Sequence, residues 1–196
     1  MKIHNNFFFA AVALFFVACS EGEPTRLTDI KGLLPDLSFE LINEDNRPVT
    51  EKDYLGQTVI VFFGFTNCPE VCPSTLNELA RALGNLGGLA EEVTVLFISV
   101  DPERDTLEKL KLYTDVFGPS FIGLTAKTDV IKQLSKRYRV TFGYGDADSS
   151  GDYEVSHSGA VFVFDKQGQA RLLATQKSSV EDITYDIRKL IHVPEW

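Results

Sequence analysis

The pattern of hydrophobic positions predicts a sheet whose central strands are buried on both faces. Thr58 to Phe65 and Val93 to Val100 are almost unbroken runs of β-branched, aliphatic and aromatic residues. Such runs are typical of strands that other elements cover on both sides. Two later runs, Ala160 to Phe164 and Ala170 to Ala174, flank a short Asp-Lys-Gln-Gly segment and are therefore predicted to form a hairpin.

Apolar residues at spacings of three and four predict four helices. The first is expected to begin at Pro73, because proline fits the first turn of a helix and disfavours helical geometry at the residue before it. The second follows Asp105, whose side chain is expected to cap it. The third spans Val130 to Tyr138, and the fourth follows Ser178 and Ser179.

A short hairpin precedes these elements. Leu37 to Ile42 and Val49 to Thr50 are predicted to form its strands, with a polar turn between them. The full order is then this hairpin followed by β, α, β, α, α, β, β and α. It predicts a thioredoxin-like α/β fold with an N-terminal β-hairpin extension, over residues 36–196. In such sheets ligands bind beyond the carboxyl ends of the strands, so the loop after Phe65 is expected to carry the chemistry.

Residues 1–18 have the pattern of a signal peptide, with a positive charge at Lys2 and an unbroken apolar run from Phe7 to Ala18. As a helix this run would be about 18 Å long, too short for a hydrocarbon core of roughly 30 Å. The run ends at Cys19 in a sequence that resembles a bacterial lipobox, so Cys19 is expected to be lipidated. Cleavage after Ala18 without a lipid, which leaves a free thiol, is the alternative. Both alternatives predict an exported protein.

Composition and charge narrow the classes of partner and the cellular location that are expected. The chain has 196 residues and a formal net charge of −9. Loss of Lys2 with the signal peptide leaves 18 basic against 28 acidic residues, a net charge of −10. No basic patch is visible, so nucleic acid is not an expected partner. Residues 19–35 are polar and are expected to tether the domain to a membrane through Cys19, facing the periplasm or the cell exterior.

Two cysteines form the strongest chemical signal in the chain. Cys68 and Cys72 stand between the first buried strand and the first predicted helix. The dipole and free N–H groups of a helix N-terminus favour a negative sulfur and are expected to lower the thiol pKa. In an oxidising compartment such a pair forms a disulfide unless a reductant acts on it. The pair fits a soft-metal site, a redox pair or a structural disulfide, although the last adds little stability over so short a loop.

A histidine supplies a candidate third ligand. His157 lies at the start of the third core strand, after a polar segment, 141–153, that is expected to be a loop. The other two histidines are His4, in the signal peptide, and His192, near the C-terminus. Two thiolates and one imidazole favour Cu(I), whereas structural zinc usually takes four ligands. The alternative is a surface histidine without a ligand role.

Asp101 is a weaker candidate, for shaping the site without binding the metal itself or for binding a partner. It directly follows the second buried strand, and strand ends carry function in sheets of this kind. It is equally suited to forming the turn before Pro102. The sequence leaves both roles open.

Three ordered motifs give the chain a family resemblance. Thr66 to Pro73, Val100 to Thr106 and Val155 to Ser158 together resemble the SCO/SenC family of copper-binding thioredoxin-like proteins. The resemblance extends from about Leu34 to Ile191. One departure is Ser156, which stands before the histidine where the family often has aspartate, so the hydrogen-bond partner of the histidine is not supplied by the resemblance.

The resemblance implies a copper site formed by Cys68, Cys72 and His157, for Cu(I), Cu(II) or both. It also implies a role in building the dinuclear copper centre of cytochrome c oxidase, with the copper-centre subunit as partner. An upstream copper donor or thiol reductant is a further expected partner. Two hypotheses follow: a metallochaperone without turnover, and a thiol–disulfide oxidoreductase that reduces the cysteines of a copper-site partner. In both, a Cys68–Cys72 disulfide would gate loading.

Overall fold

A computed structural model describes residues 24–149 and 152–192 of the chain. The predicted signal peptide, 1–18, and Cys19 lie outside the described residues, so their predicted roles stay predictions. In the part that is described, no helix is both long and apolar enough to cross a membrane.

Within the described residues the chain forms ten β-strands and four α-helices. The strands are β1 (Thr28–Asp29), β2 (Glu40–Asn43), β3 (Pro48–Thr50), β4 (Thr58–Gly64), β5 (Val93–Ser99), β6 (Phe121–Thr125), β7 (Phe142–Tyr144), β8 (Val155–His157), β9 (Val161–Phe164) and β10 (Ala170–Ala174). The helices are α1 (Val71–Leu86), α2 (Leu107–Asp115), α3 (Thr128–Arg137) and α4 (Val180–His192).

Eight strands form one sheet in the order β1-β10-β9-β4-β5-β6-β2-β3, while β7 and β8 pair only with each other. Strands β4, β5 and β6 are parallel, and β9 runs antiparallel to β4. This is the arrangement of a thioredoxin-like α/β protein. The predicted N-terminal hairpin is confirmed as β2 and β3, which lie at one edge of the sheet and join it through β6.

The central strand β4 is held from both faces by aromatic side chains. Phe62 packs against Phe97 of β5 with ring centroids 6.1 Å apart. Phe63 points to the opposite face and packs against Tyr138, which follows α3, at 6.4 Å. Phe62 and Phe63 are fully buried, and burial of such a side chain contributes about 1.5–3 kcal/mol to stability. The carboxyl end of β4, where the cysteines follow, is therefore a rigid support.

Four strands, β1, β6, β7 and β8, were not predicted by the hydrophobic pattern. Strand β6 is short and contains Gly123, where a Cβ atom would come 2.9 Å from Leu110 Cβ of α2, so the close approach of the helix excludes a larger apolar residue. Strand β7 lies inside 141–153, which was expected to be only a loop. It pairs with β8 so that Phe142 stands opposite His157. The expected loop is in fact one strand of a hairpin that carries the candidate ligand.

The predicted tether, 19–35, is wrong for its second half, because the fold begins before residue 36. Strand β1 pairs with β10, and Leu27 and Ile30 are buried. The N–H group of Leu27 donates a hydrogen bond of 2.6 Å to Asp186 of α4. The chain from Arg26 onward is therefore packed on the domain.

Candidate metal centre

The segment from Phe65 to Glu70, called the thiol loop here, connects β4 to α1. The N–H group of Cys68 donates to the carbonyl oxygen of Phe65 at 3.2 Å, which closes a turn directly after the strand. Helix α1 begins at Val71, two residues before the predicted start, so Cys72 lies within its first turn. Pro73 is tolerated there because the first N–H groups of a helix have no partner inside the helix.

The two cysteines and the histidine meet at this loop, although 85 residues separate the second cysteine from the histidine. The Nε2 atom of His157 lies 3.3 Å from Sγ of Cys72 and 3.8 Å from Sγ of Cys68. One ligand atom from each residue lies within 4.8 Å of the other two, which is the spacing of a shared metal ion. In the described part of the chain, this is the one such group of three or more His, Cys, Asp or Glu residues.

The imidazole of His157 is held in the form that binds a metal. Its Nδ1 atom lies 3.0 Å from the carbonyl oxygen of Ser158. A carbonyl oxygen can only accept a hydrogen bond, so Nδ1 carries the proton and Nε2 presents its lone pair to the two sulfurs. Burial lowers the pKa of His157, which keeps the ring neutral. The ring stands edge-on to Phe62 and Phe65, so its orientation is fixed without a contribution from Ser156.

The two thiols have different surroundings. Cys72 is fully buried, and burial raises the pKa of its thiol. The expectation that the helix N-terminus lowers the pKa is therefore wrong for Cys72, because desolvation outweighs the helix dipole there. Cys68 is only partly buried, and its sulfur accepts a hydrogen bond of 3.4 Å from the N–H group of Cys72. The free amide of the helix start thus acts on Cys68.

Asp105 supports the thiol loop and does not cap α2. Its carboxylate accepts hydrogen bonds from the N–H and hydroxyl groups of Thr66 and from the hydroxyl group of Ser99. The cap of α2 is Thr106, whose side chain accepts a bond from the N–H group of Lys109. Burial raises the pKa of Asp105, and the bonds from Ser99 and Thr66 oppose that shift. The sequence clue to this support of the thiol loop is the position of Asp105 shortly after β5, the strand that pairs with β4.

Asp101, which was expected to shape the site, makes none of its side-chain hydrogen bonds to the cysteines or the histidine. Its Oδ1 atom accepts a bond of 2.6 Å from the hydroxyl group of Tyr153, and its Oδ2 atom accepts one of 2.6 Å from Nε of Arg104. Asp101 therefore contacts the segment that leads into β8, the strand that carries His157.

A cleft of about 580 Å³ opens between the thiol loop and the hairpin. It borders the metal centre through Asn67 and Pro69, which flank Cys68, and through Ser156, which precedes His157. Its lining includes Phe65, Asn67 and Pro69 from the thiol loop, together with Arg104, Tyr144 and Tyr153.

The donor set fits a soft metal ion. Two thiolates and one neutral imidazole are ligands that copper prefers, and three ligands match Cu(I) better than they match structural zinc, which usually has four. Cys68 and Cys72 are not joined in the structure, so each sulfur is placed to serve, as a thiolate, as a separate ligand.

Comparisons with known proteins agree with this geometry. A family model described as SCO1/SenC matches residues 31–192. The human protein "Protein SCO1 homolog, mitochondrial" is 36% identical over 133 residues, which is 67% of this chain and 44% of that protein. A crystal structure of Arabidopsis thaliana ScoI with copper bound has 34% identity and a TM-score of 0.73, over 80% of this chain and 97% of that one.

A SCO1/SenC family lipoprotein from Bacillus anthracis has 25% identity and a TM-score of 0.71, over 85% of this chain and 99% of that one. The chain spans less than two thirds of the length of these curated relatives. It covers 44% of the human protein and 58% of the bovine "Protein SCO2 homolog, mitochondrial". The family match covers most of the chain and includes all three candidate ligands. The chain belongs to the SCO1/SenC family.

Proposed function

We propose that this protein binds copper as a cargo and helps to assemble the dinuclear copper centre of cytochrome c oxidase. The observation that carries the proposal is the convergence of the sulfurs of Cys68 and Cys72 with Nε2 of His157. The copper-bound relative from Arabidopsis supports copper as the metal. Membership of the family supports the copper-centre subunit as recipient, with an upstream copper donor or thiol reductant as a second partner.

In this proposal the three residues hold copper with soft and borderline ligands that can release it to a stronger site. Residues of the thiol loop line the cleft, so a recipient that docks there would lie next to Cys68. A buried four-ligand site would retain its metal, whereas three ligands leave a position for an incoming ligand from the recipient.

An anaerobic copper titration of the reduced protein tests the proposal. We expect one copper ion to bind per chain. Spectra are recorded for both oxidation states of copper. His157→Ala should weaken binding by more than about tenfold, since even the outer partners of metal ligands contribute that much. His192→Ala is the matched control, because His192 is exposed at the end of α4, and it should bind as the parent does. Equal affinity in the parent and His157→Ala would remove His157 from the site.

Thiol–disulfide exchange with a copper-site partner is a second candidate function. The two sulfurs are close enough to join after a small rearrangement, and Cys68 is accessible at a helix start. In this reaction both thiols of the pair are oxidised to a Cys68–Cys72 disulfide, and one partner disulfide is reduced to two thiols. An anaerobic assay with a disulfide-containing partner peptide tests this. Exchange no faster than that by glutathione alone would contradict it.

We also infer that the protein is exported and anchored to a membrane by a lipid on Cys19. The relative from Bacillus anthracis is itself a lipoprotein, which supports this inference. Radiolabelled fatty acid should be incorporated into the parent protein and not into Cys19→Ser. Label in both proteins, or in neither, would contradict the lipid anchor.

A further inference from the structure

The strands β7 and β8, called the histidine hairpin here, carry one metal ligand but are not part of the main sheet. Isolated two-stranded hairpins are only marginally stable in water. The hairpin therefore depends on contacts with the rest of the domain to keep His157 next to the cysteines. Phe142 and Val155 pack against the core, and two tyrosines, one in β7 and one two residues before β8, make hydrogen bonds to the rest of the domain.

Tyr153 provides the contacts next to β8. Its hydroxyl group donates a 2.6 Å hydrogen bond to Oδ1 of Asp101. Its ring lies against the guanidinium group of Arg104, with 3.8 Å from Cζ to the ring centroid. Nη1 of Arg104 also donates to the carbonyl oxygen of Tyr153 at 2.9 Å. Both the side chain and the backbone of Tyr153 are thus fixed to the turn that follows β5.

Asp101, which accepts the hydrogen bond from Tyr153, is itself held rigidly. Asp101 is fully buried, and its second oxygen accepts the 2.6 Å bond from Nε of Arg104. Its N–H group donates to Ser99 at 3.1 Å, at the end of the central strand β5. If the bond from Tyr153 breaks, Oδ1 of this buried carboxylate loses its donor while Oδ2 keeps the bond from Arg104, and a buried acceptor without a donor makes that break costly.

Tyr144 anchors the opposite strand of the hairpin. Its hydroxyl group donates a 2.5 Å hydrogen bond to the carbonyl oxygen of Val100, and its ring contacts that of Tyr153 edge-on at 5.7 Å. The two tyrosines therefore hold the hairpin on one short stretch, Val100 to Arg104.

We propose that Tyr153 is a positioning residue for the copper site: its hydroxyl bond to Asp101 latches the histidine hairpin so that His157 reaches the two sulfurs. The part of this proposal that concerns copper rests on the proposed function. Opening of the latch withdraws the imidazole and leaves both thiols in place at the end of β4. Asp101 then acts on the site through Tyr153. Because Tyr153 also lines the cleft, a partner that docks there touches the residue that holds the histidine.

The latch is tested first without metal. Tyr153→Phe keeps the ring on Arg104 and removes only the hydroxyl group. In the reduced protein with chelator present, hydrogen exchange of the hairpin amides should accelerate about tenfold to a hundredfold, the factor expected when a buried charged acceptor loses its donor. The amides to follow are those of Gly145 and Ser158, which donate to Glu154 and Thr141. Unchanged exchange at these amides would overturn the latch.

Tyr138→Phe is the matched control for loss of a buried tyrosine hydroxyl. The hydroxyl group of Tyr138 accepts a 2.9 Å bond from the N–H group of Ser38 and donates to the carbonyl oxygen of Asp36, away from the hairpin. This variant should lose stability without faster exchange at the hairpin amides. Faster exchange of the hairpin in both variants would show a general loss of stability and would overturn the latch.

Copper release provides the second readout. Transfer of copper to an excess of chelator should be about tenfold faster from Tyr153→Phe than from the parent, because the histidine leaves first. In a His157→Ala background the same substitution should have no effect, since the latch acts only through that ligand. Equal acceleration in both backgrounds would overturn the positioning role. Failure of the parent to bind copper would contradict the proposed function, and the metal-free exchange experiment would still decide the latch.

Discussion

At the scale of single residues, the two cysteines occupy unequal positions. Cys72 is fully buried and its thiol pKa is raised by burial, so little reactive thiolate forms there near neutral pH. Cys68 is partly exposed and its sulfur faces a helix amide. Iodoacetamide should therefore modify Cys68 first in the reduced, metal-free protein, and Cys72 only after unfolding. Mass mapping of a short reaction checks this, and equal labelling of both residues would contradict it.

Gly64, the last residue of β4, leaves room for the buried thiol. A Cβ atom there would come 2.6 Å from Cε2 of Phe97 and 2.7 Å from Sγ of Cys72. Gly64→Ala should lower the free energy of unfolding by about 1–3 kcal/mol and weaken metal binding, because the sulfur must move. Gly84→Ala is the control: no atom lies within 4 Å of its added Cβ, and alanine in helix α1 should raise stability by up to about 1 kcal/mol.

Urea denaturation and a metal titration of both glycine variants check this prediction. Loss of stability in Gly64→Ala with unchanged metal affinity would contradict the claim that the glycine makes space for the ligand sulfur. Loss of stability in Gly84→Ala would show that the comparison is not matched.

The ligand residues were predictable from sequence, whereas their supports were not. Cysteine and histidine carry chemistry that few other side chains have, so Cys68, Cys72 and His157 stand out by residue type and order. Asp105 and Tyr153 support the site only by where the fold places their side chains, and residue type does not reveal that position. An aspartate before a helix has the same local pattern whether it caps that helix or, as Asp105 does, binds Thr66 in a loop that is distant in sequence.

At the scale of elements, one carboxylate adds to the β1–β10 pairing that holds the N-terminal arm, residues 26–30. Oδ2 of Asp186 accepts bonds from the N–H groups of Arg26 and Leu27 at 2.8 and 2.6 Å. Asp186→Ala leaves both amides without this partner and should lower the free energy of unfolding by about 2 kcal/mol, with faster hydrogen exchange in the arm. Metal affinity should stay as in the parent, because the arm lies at the sheet edge formed by β1.

Arg26→Ala is the control for the arm. It removes the exposed ion pair with Asp182, 3.4 Å apart, and the contact of the guanidinium with the Tyr185 ring, and it keeps both backbone bonds to Asp186. Its cost should be about 1 kcal/mol or less, as is usual for exposed charges. Equal costs for the two variants, measured by denaturation, would show that the backbone bonds are not what holds the arm.

Long periodic elements followed from the sequence, whereas four of the shorter strands, β1, β6, β7 and β8, did not. Strands β4 and β5 are seven residues each and fully buried, so their apolar runs are unmistakable. Strand β1 has two residues and β7 has three, and their side chains are mostly exposed or half-buried. Pairing with a distant strand defines such elements, and local composition holds little information about that pairing.

At the scale of the whole molecule, the site couples folding to the charge state of one ligand. Burial lowers the pKa of His157 in the folded protein, while the unfolded chain has the ordinary value of about 6.5. Between these two values the unfolded state binds the additional proton. Stability must therefore fall as the pH drops below about 6.5, by at most about 1.4 kcal/mol per pH unit for one proton.

Denaturation of the reduced, metal-free protein at about pH 7.5 and about pH 5.5 measures this coupling, with His157→Gln as the comparison. Carboxyl groups such as Asp105, whose pKa is raised, act in the opposite direction but are common to both proteins. The parent should therefore lose more stability than His157→Gln on acidification, while His192→Gln should follow the parent. If the parent and His157→Gln lost equal stability, burial would not hold the imidazole neutral. The same proton competes with copper for Nε2, so acid that destabilises the fold also removes the ligand.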